Sequence, residues 1–238
     1  MNDGAKENTV AMTDRRPIRS RSLGVVQRFG ALLVRIGIGP NTISLSSMGF
    51  ALAGAAYMVA ASYADGAAFR TFCMTAAACI QLRLIANLMD GVVAEIGGQV
   101  SRSGRLFNEW PDRVSDLLLL IGFGSLVIEP GGWWLGVLAG CGAVLTAYCR
   151  ELGRAVGAPM SFVGPMAKPQ RMAVLTAVLF VIAAWPGTGT SAFWGPDQAW
   201  GLPALTLLVI TISCVVTSIR RLTFYHRFVA NQDLRGDA

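Results

Sequence analysis

Six stretches of this chain, residues 43–64, 69–93, 112–128, 131–149, 170–186 and 199–219, are apolar over most of their length. Crossing the hydrocarbon of a bilayer takes a helix of roughly 20 predominantly apolar residues. The runs are continuous and not alternating, and in lipid a backbone must satisfy its own hydrogen bonds, so they read as helices and not strands. The fifth run is short and suits a tilted or partly buried helix. Charged residues make up only 14% of the chain and hydrophobic ones 53%, with mean hydropathy +0.52. Soluble domains carry roughly 25% charged residues. The expected fold is all-α, a polytopic membrane protein with six transmembrane helices.

Orientation follows from the cations. Lys6, Arg15, Arg16, Arg19, Arg21, Arg28 and Arg35 precede the first run; Arg102, Arg105 and Arg113 lie between the second and third. Arg150, Arg154, Lys168 and Arg171 connect the fourth to the fifth, and Arg220, Arg221, Arg227 and Arg235 follow the sixth. All of these fall on one side, leaving only Arg70 near the other interface and Arg83 inside the second run. Basic loops mark the cytoplasmic face. Both termini are therefore expected there, in a multi-pass protein of a bacterial cytoplasmic membrane. The net charge of +6 reads as topology signal and attraction to anionic lipid. It does not point to nucleic acid, because no basic run is interleaved with aromatics on a soluble fold.

Residues 1–18 are polar with mixed charge and no apolar period, and are expected to form a disordered cytoplasmic tail. They contain no apolar stretch of the kind a signal peptide needs. The membrane domain is expected over 19–225 and a cytoplasmic tail over 226–238. From Ser20 to Ile38, Leu23, Val26, Phe29, Leu32, Leu33 and Ile36 recur at helical spacing, while Arg21, Arg28 and Arg35 mark another face. That pattern predicts an amphipathic helix lying in the interface. Gly39-Pro40 ends it, and Asn41 or Thr42 is the expected cap of the first span. Cys73, Cys79, Cys141, Cys149 and Cys214 all lie in apolar spans without metal-type spacing and read as small buried hydrophobes.

The informative anomaly is acidic. Asp90, Glu95, Glu109, Asp112 and Asp116 crowd the end of the second span and the start of the third, where ionisable groups are costly and usually mark a site. Asn87, Asp90, Gly91 and Ala94 share one helix face, as do Asn108, Asp112 and Asp116. If the two spans are antiparallel neighbours, their oxygen-bearing faces converge near the cytoplasmic interface. Such oxygens suit a hard divalent cation that shares its shell with phosphate. Gly91 and Ala94 would let a phosphate approach the backbone, or would serve helix packing. Arg83, one helical stretch before Asp90, is expected to neutralise a carboxylate.

These residues resemble the signature of the CDP-alcohol phosphotransferases (CDP-alcohol phosphatidyltransferases), Asp-x2-Asp-Gly-x2-Ala-Arg-x8-Gly-x3-Asp-x3-Asp. Here the same spacing reads Asn87, Asp90, Gly91, Ala94, Glu95, Gly104, Asn108, Asp112. The resemblance is to a divergent branch with Asn at two of the four acidic motif positions. It extends to Pro40-Asn41-Thr42-Ile43, to Arg150-Glu151 with Arg154, and to Lys168 with Arg171. It implies transfer of a phosphatidyl-type group from a CDP-alcohol such as CDP-diacylglycerol to a small polar acceptor alcohol, releasing CMP, in phospholipid synthesis. It further implies that Asn87, Asp90, Asn108 and Asp112 hold Mg²⁺ or Mn²⁺, one or two ions, and that Asp112 is the general base. Gly91, Ala94 and Gly104 would line the CDP-alcohol pocket, and a homodimer is the implied assembly. Arg150, Arg154, Lys168 and Arg171 would bind an anionic acceptor or lipid phosphate, or simply anchor the cytoplasmic face.

The departures reduce the charge of the four metal positions, and Glu95 replaces a cation expected near nucleotide phosphates, a place Arg102 or Arg105 could take. Two alternatives stay open: a catalytically silent, lipid-binding or partner subunit, and a transporter using the intramembrane acids as an ion path. Other chemistries lack candidates. His226 is the only histidine and lies in the basic C-terminal segment, so neither a Ser-His-Asp triad nor a His-rich zinc site can be built. No phosphate-binding Gly pattern follows a strand.

Overall fold

The structure is a computed structural model that describes residues 23–98, 102–127, 131–161, 163–184 and 201–236, without the side chains of 102–108 and 233–236. The expected tail over 1–18 lies outside the described residues, as does Arg21.

The described residues form seven helices and no strand: α1 Gly24–Arg35, α2 Pro40–Ser62, α3 Gly66–Ile96, α4 Arg102–Gly124, α5 Gly132–Ala155, α6 Lys168–Ala184 and α7 Leu202–Gly236. Each of the six apolar runs coincides with one of α2 to α7. By length and composition alone, α2, α3, α5 and α7 qualify to cross a membrane. The fourth helix falls short in hydropathy because its first half is polar, and α6 has 17 residues. No more than half of each qualifying window is buried, and apolar side chains such as Leu52, Leu138, Leu145, Val209 and Ile212 are exposed around the bundle. Apolar surface of this extent belongs in lipid. This is an integral membrane protein.

Four local details differ from the sequence expectation. The first span starts at Pro40 with Gly39 at the N-cap, and no side chain caps it; proline's missing N–H costs nothing at that position, so Asn41 and Thr42 are already inside the helix. Between the second and third spans most of the expected loop is helical, because α4 starts at Arg102 and carries Pro111 internally. The last helix continues through His226 and Arg227 to Gly236, over most of the segment expected as a tail. Of the cysteines, Cys141 is exposed and not buried, the other four being buried; all are free thiols.

Small residues set the packing. A Cβ on Gly136 of α5 would stand 2.6 Å from the Leu120 carbonyl oxygen of α4, and one on Gly122 of α4 would stand 2.8 Å from the Ala55 Cα of α2. Backbones this close gain dispersion contact where no hydrophobic effect drives helices together. The main core runs from Met58, Phe69 and Ile80 through Leu119 and Phe123 to Leu175, Leu179 and Ile210. A second cluster docks α1: Val26, Leu33 and Val34 pack against Met89, Val92 and Val93 of α3. Leu23, Val25, Phe29, Leu32 and Ile36 remain exposed. α1 is thus an amphipathic helix docked on α3 with an uncovered apolar stripe.

One arrangement positions everything that follows. The second helix packs closely on both α3 and α4, and α6 packs on α3, while α3 and α4 make little direct backbone approach to each other. They are sequence neighbours without being close-packed partners. Polar side chains fill the space between them.

Candidate active site

Four residues of α3 and α4 meet across that space. The Asn87 amide donates to Asp112 Oδ1 at 2.9 Å. The Arg83 guanidinium reaches Asp116 Oδ1 at 2.7 Å and also donates to the Asp112 carbonyl oxygen at 3.3 Å. Helical spacing explains the pairing: Arg83 and Asn87 are one turn apart on α3, Asp112 and Asp116 one turn apart on α4. The expected convergence of the two polar faces is present, and Arg83 does neutralise a carboxylate.

Asp90 belongs to the same face of α3 and is 3% exposed. Ser44 of α2 donates to its Oδ2 at 2.8 Å, and its Oδ1 makes no hydrogen bond. Asp90 lies within electrostatic reach of Asp112 and Lys168. Ser44 is a site residue that sequence reading missed. Its only signal was a pair of hydroxyls, Ser44 and Ser47, one turn apart in an apolar span.

The basic residues expected to form one cluster are divided. Lys168 Nζ lies 2.5 Å from Asp112 Oδ1. Arg171 reaches Asp116 Oδ2 at 2.7 Å and is 2% exposed, and it also donates to the Met166 carbonyl at 3.1 Å. Arg150 pairs with Glu109 at 2.6 Å, Arg154 pairs with Glu151 at 2.6 Å, and Arg113 pairs with Glu109. Two cations thus hold carboxylates inside the helix bundle, and two sit in a chain of acidic partners nearer its edge. Arg221 of α7 supports the same region by donating to the Thr146 carbonyl at 2.6 Å.

Gly91 and Ala94 are buried on α3, and Glu95 is exposed. Gly104 and Asn108 lie on α4 before Asp112, and their side chains fall outside the described residues. Among the described residues no group of three or more His, Cys, Asp or Glu is arranged to hold a metal ion. Among the described side chains, a cation at this site would draw on the Asn87 amide oxygen as well as Asp90 and Asp112. The donor chemistry fits a hard cation, and the unpartnered, buried Asp90 Oδ1 offers it a ligand.

Comparison with known proteins agrees with the motif. The chain is 26% identical over 214 residues to the phosphatidylinositol phosphate synthase of Streptomyces avermitilis, spanning 88% of this chain and 81% of that protein. It is 28% identical over 105 residues to the inner membrane protein YnbA of Escherichia coli, covering 44% of this chain and 51% of that protein. The fold is similar to that of Mycobacterium tuberculosis phosphatidylinositol phosphate synthase (PgsA1). Against its crystal structure with CDP-DAG bound, the TM-score is 0.66 at 16% identity, covering 85% of this chain and 94% of that one. Against its complex with manganese and citrate, the TM-score is 0.65 at 16% identity, covering 84% and 88%. No family model matches the chain. With the signature spacing kept across α3 and α4, and a relative aligned along most of both lengths, the chain is similar to the CDP-alcohol phosphotransferases in motif, in sequence and in fold.

Proposed function

We propose that this protein transfers a phosphatidyl group from CDP-diacylglycerol, or a close CDP-alcohol, to an acceptor hydroxyl and releases CMP, in phospholipid synthesis. The observation that carries this is the joint placement of Asp90 and Asp112. Two carboxylates in the family's register line one polar space between α3 and α4, and one buried carboxylate oxygen is left without a partner.

Asp90 and Asp112, with the amide oxygens of Asn87 and Asn108, are the residues that would hold Mg²⁺ or Mn²⁺. A bound divalent ion would supply positive charge to the oxygens of the donor's diphosphate. Ser44 fixes the Asp90 carboxylate by donating to its Oδ2. Buried Gly91 and Ala94, together with Gly104, leave room for the nucleotide diphosphate. Asp112 takes the proton of the acceptor hydroxyl as the new P–O bond forms. The bond between the phosphatidyl phosphorus and the bridging oxygen breaks, and CMP departs with that oxygen. Arg83 and Lys168 hold the Asp112 carboxylate in place, and Arg171 anchors Asp116 behind it.

The Streptomyces relative is named for phosphatidylinositol phosphate, so an inositol phosphate heads the acceptors to be tried. Arg150 and Arg154 are the cations we assign to an anionic acceptor. Six spans, cytoplasmic termini and site, a bacterial cytoplasmic membrane and a homodimeric assembly complete the proposal. Charge placement supports the orientation, and a reporter fused after Ala238 that works only in the cytoplasm checks it.

Purified protein in detergent, with cytidine-labelled CDP-diacylglycerol, Mn²⁺ and a panel of acceptors, should release CMP with one of them. Folded protein that releases none with any acceptor would defeat the proposal. One observation favours a second reading, a silent lipid-binding subunit: Lys168 engages the proposed base directly. Metal-independent CDP-alcohol binding by calorimetry, without turnover, would select it.

A further inference from the structure

We infer that the Lys168 ammonium stands in for one of two cations, so that this site takes a single divalent ion, at Asp90. The inference rests on the phosphatidyl-transfer function proposed for the site and goes further, by assigning the two ends of the site different occupants.

The two carboxylates of the motif are not equivalent. Asp112 Oδ1 receives Lys168 Nζ at 2.5 Å and the Asn87 amide at 2.9 Å, and Arg83 stands 3.5 Å from the same oxygen. Three nitrogen donors thus gather at this oxygen. Asp90 has the opposite character. One oxygen accepts from Ser44 and the other, buried, accepts from nothing. Buried polar atoms are nearly always partnered, so an orphan carboxylate oxygen within electrostatic reach of Asp112 and Lys168 marks a ligand position.

Charge points the same way. Asn87 and Asn108 are neutral, which leaves Asp90, Asp112 and Asp116 as the carboxylates of the constellation. Asp116 is committed to Arg83 and Arg171, at 2.7 Å each. Three carboxylates therefore face three cations, Arg83, Lys168 and Arg171. A divalent ion at Asp90 would be matched by the negative diphosphate it arrives with. A second ion would be an uncompensated double charge in a region of low dielectric, which is strongly unfavourable. The lysine supplies a positive charge at the Asp112 end without that cost.

The test is a Mn²⁺ titration of the purified, detergent-solubilised protein, followed by electron paramagnetic resonance, with CMP release from CDP-diacylglycerol measured on the same samples. Wild type should bind one Mn²⁺ per chain, with no Mn–Mn coupling in the spectrum. Lys168→Met should admit a second ion, at least 10-fold weaker than the first, while Lys168→Arg should stay at one and Asp90→Asn should lose it. Two coupled ions in wild type, no bound ion in wild type, or a folded Lys168→Met protein still limited to one would each overturn the inference. The wild-type count alone decides the matter if Lys168→Met fails to fold. One bound Mn²⁺ without CMP release would defeat the transferase function and leave the cation assignment standing; two coupled ions with CMP release would do the reverse.

Discussion

Arg83 of α3 and Asp116 of α4 form an ion pair at 2.7 Å with 0% and 1% of their side chains exposed. Arg171 of α6 takes the other Asp116 oxygen at the same distance, so a single carboxylate ties three helices together behind the site. Removing it leaves two guanidiniums buried without their counter-charge. Breaking a buried pair in this way costs about 3–5 kcal/mol. Asp116→Ala should therefore lower the thermal denaturation midpoint in detergent sharply, and an unchanged midpoint would show that the network contributes little.

Glycine packing makes a second, independent prediction. A methyl group on Gly136 would meet the Leu120 carbonyl at 2.6 Å and the Ile121 Cα at 2.9 Å, and backbone atoms cannot swing aside. Gly136→Ala should destabilise by about 1–3 kcal/mol, the usual penalty of overpacking. Gly49, exposed on α2 with nothing within 4 Å of its Cβ position, is the control. Gly49→Ala should be neutral or slightly stabilising, since alanine is the better helix former by roughly 1 kcal/mol. Equal thermal midpoints for the two variants would contradict the tight α4–α5 crossing.

Ser44 acts on the site only through Asp90. Loss of its hydrogen bond to Asp90 Oδ2 should leave the carboxylate free to rotate. Outer partners of metal ligands are typically worth about 10–100-fold in affinity. Ser44→Ala should weaken Mn²⁺ binding by that order, with Ser44→Thr recovering most of it; wild-type affinity in the alanine variant would remove Ser44 from the site.

Asp112 carries the proposed proton transfer. General bases contribute roughly 10²–10⁴-fold, so Asp112→Asn should cut CMP release at least by the lower figure. Expression and detergent elution profile should stay close to wild type. Turnover within a few fold of wild type would place the base elsewhere.

Asn87 offers a test through stability. Its amide donates to Asp112 at 2.9 Å, so Asn87→Asp exchanges that donor for a second carboxylate beside Asp112. Without metal this variant should melt below wild type. Saturating Mn²⁺ should then raise its midpoint more than it raises that of wild type, because ligand binding stabilises the state that binds. An equal shift in both proteins would argue that the charge at position 87 has no bearing on metal binding.

Much of this architecture is local in origin. Continuous apolar runs have one way to satisfy their backbone in lipid, so six helices and their approximate limits follow from residue order alone. Spacing of three and four residues likewise places Asn87 with Asp90, and Asp112 with Asp116, whatever surrounds them. The partners of these side chains are a different matter. That Lys168 meets Asp112 and Arg171 meets Asp116, that Ser44 reaches Asp90, and that α3 and α4 stand apart with α2 against both, depends on how far each helix is rotated and how deep it sits. Those variables are set by contacts such as Gly136 on Leu120 and Gly122 on Ala55, between residues distant in the chain. A charge's sign and its place along a helix can be read locally; its partner is decided only when the helices pack.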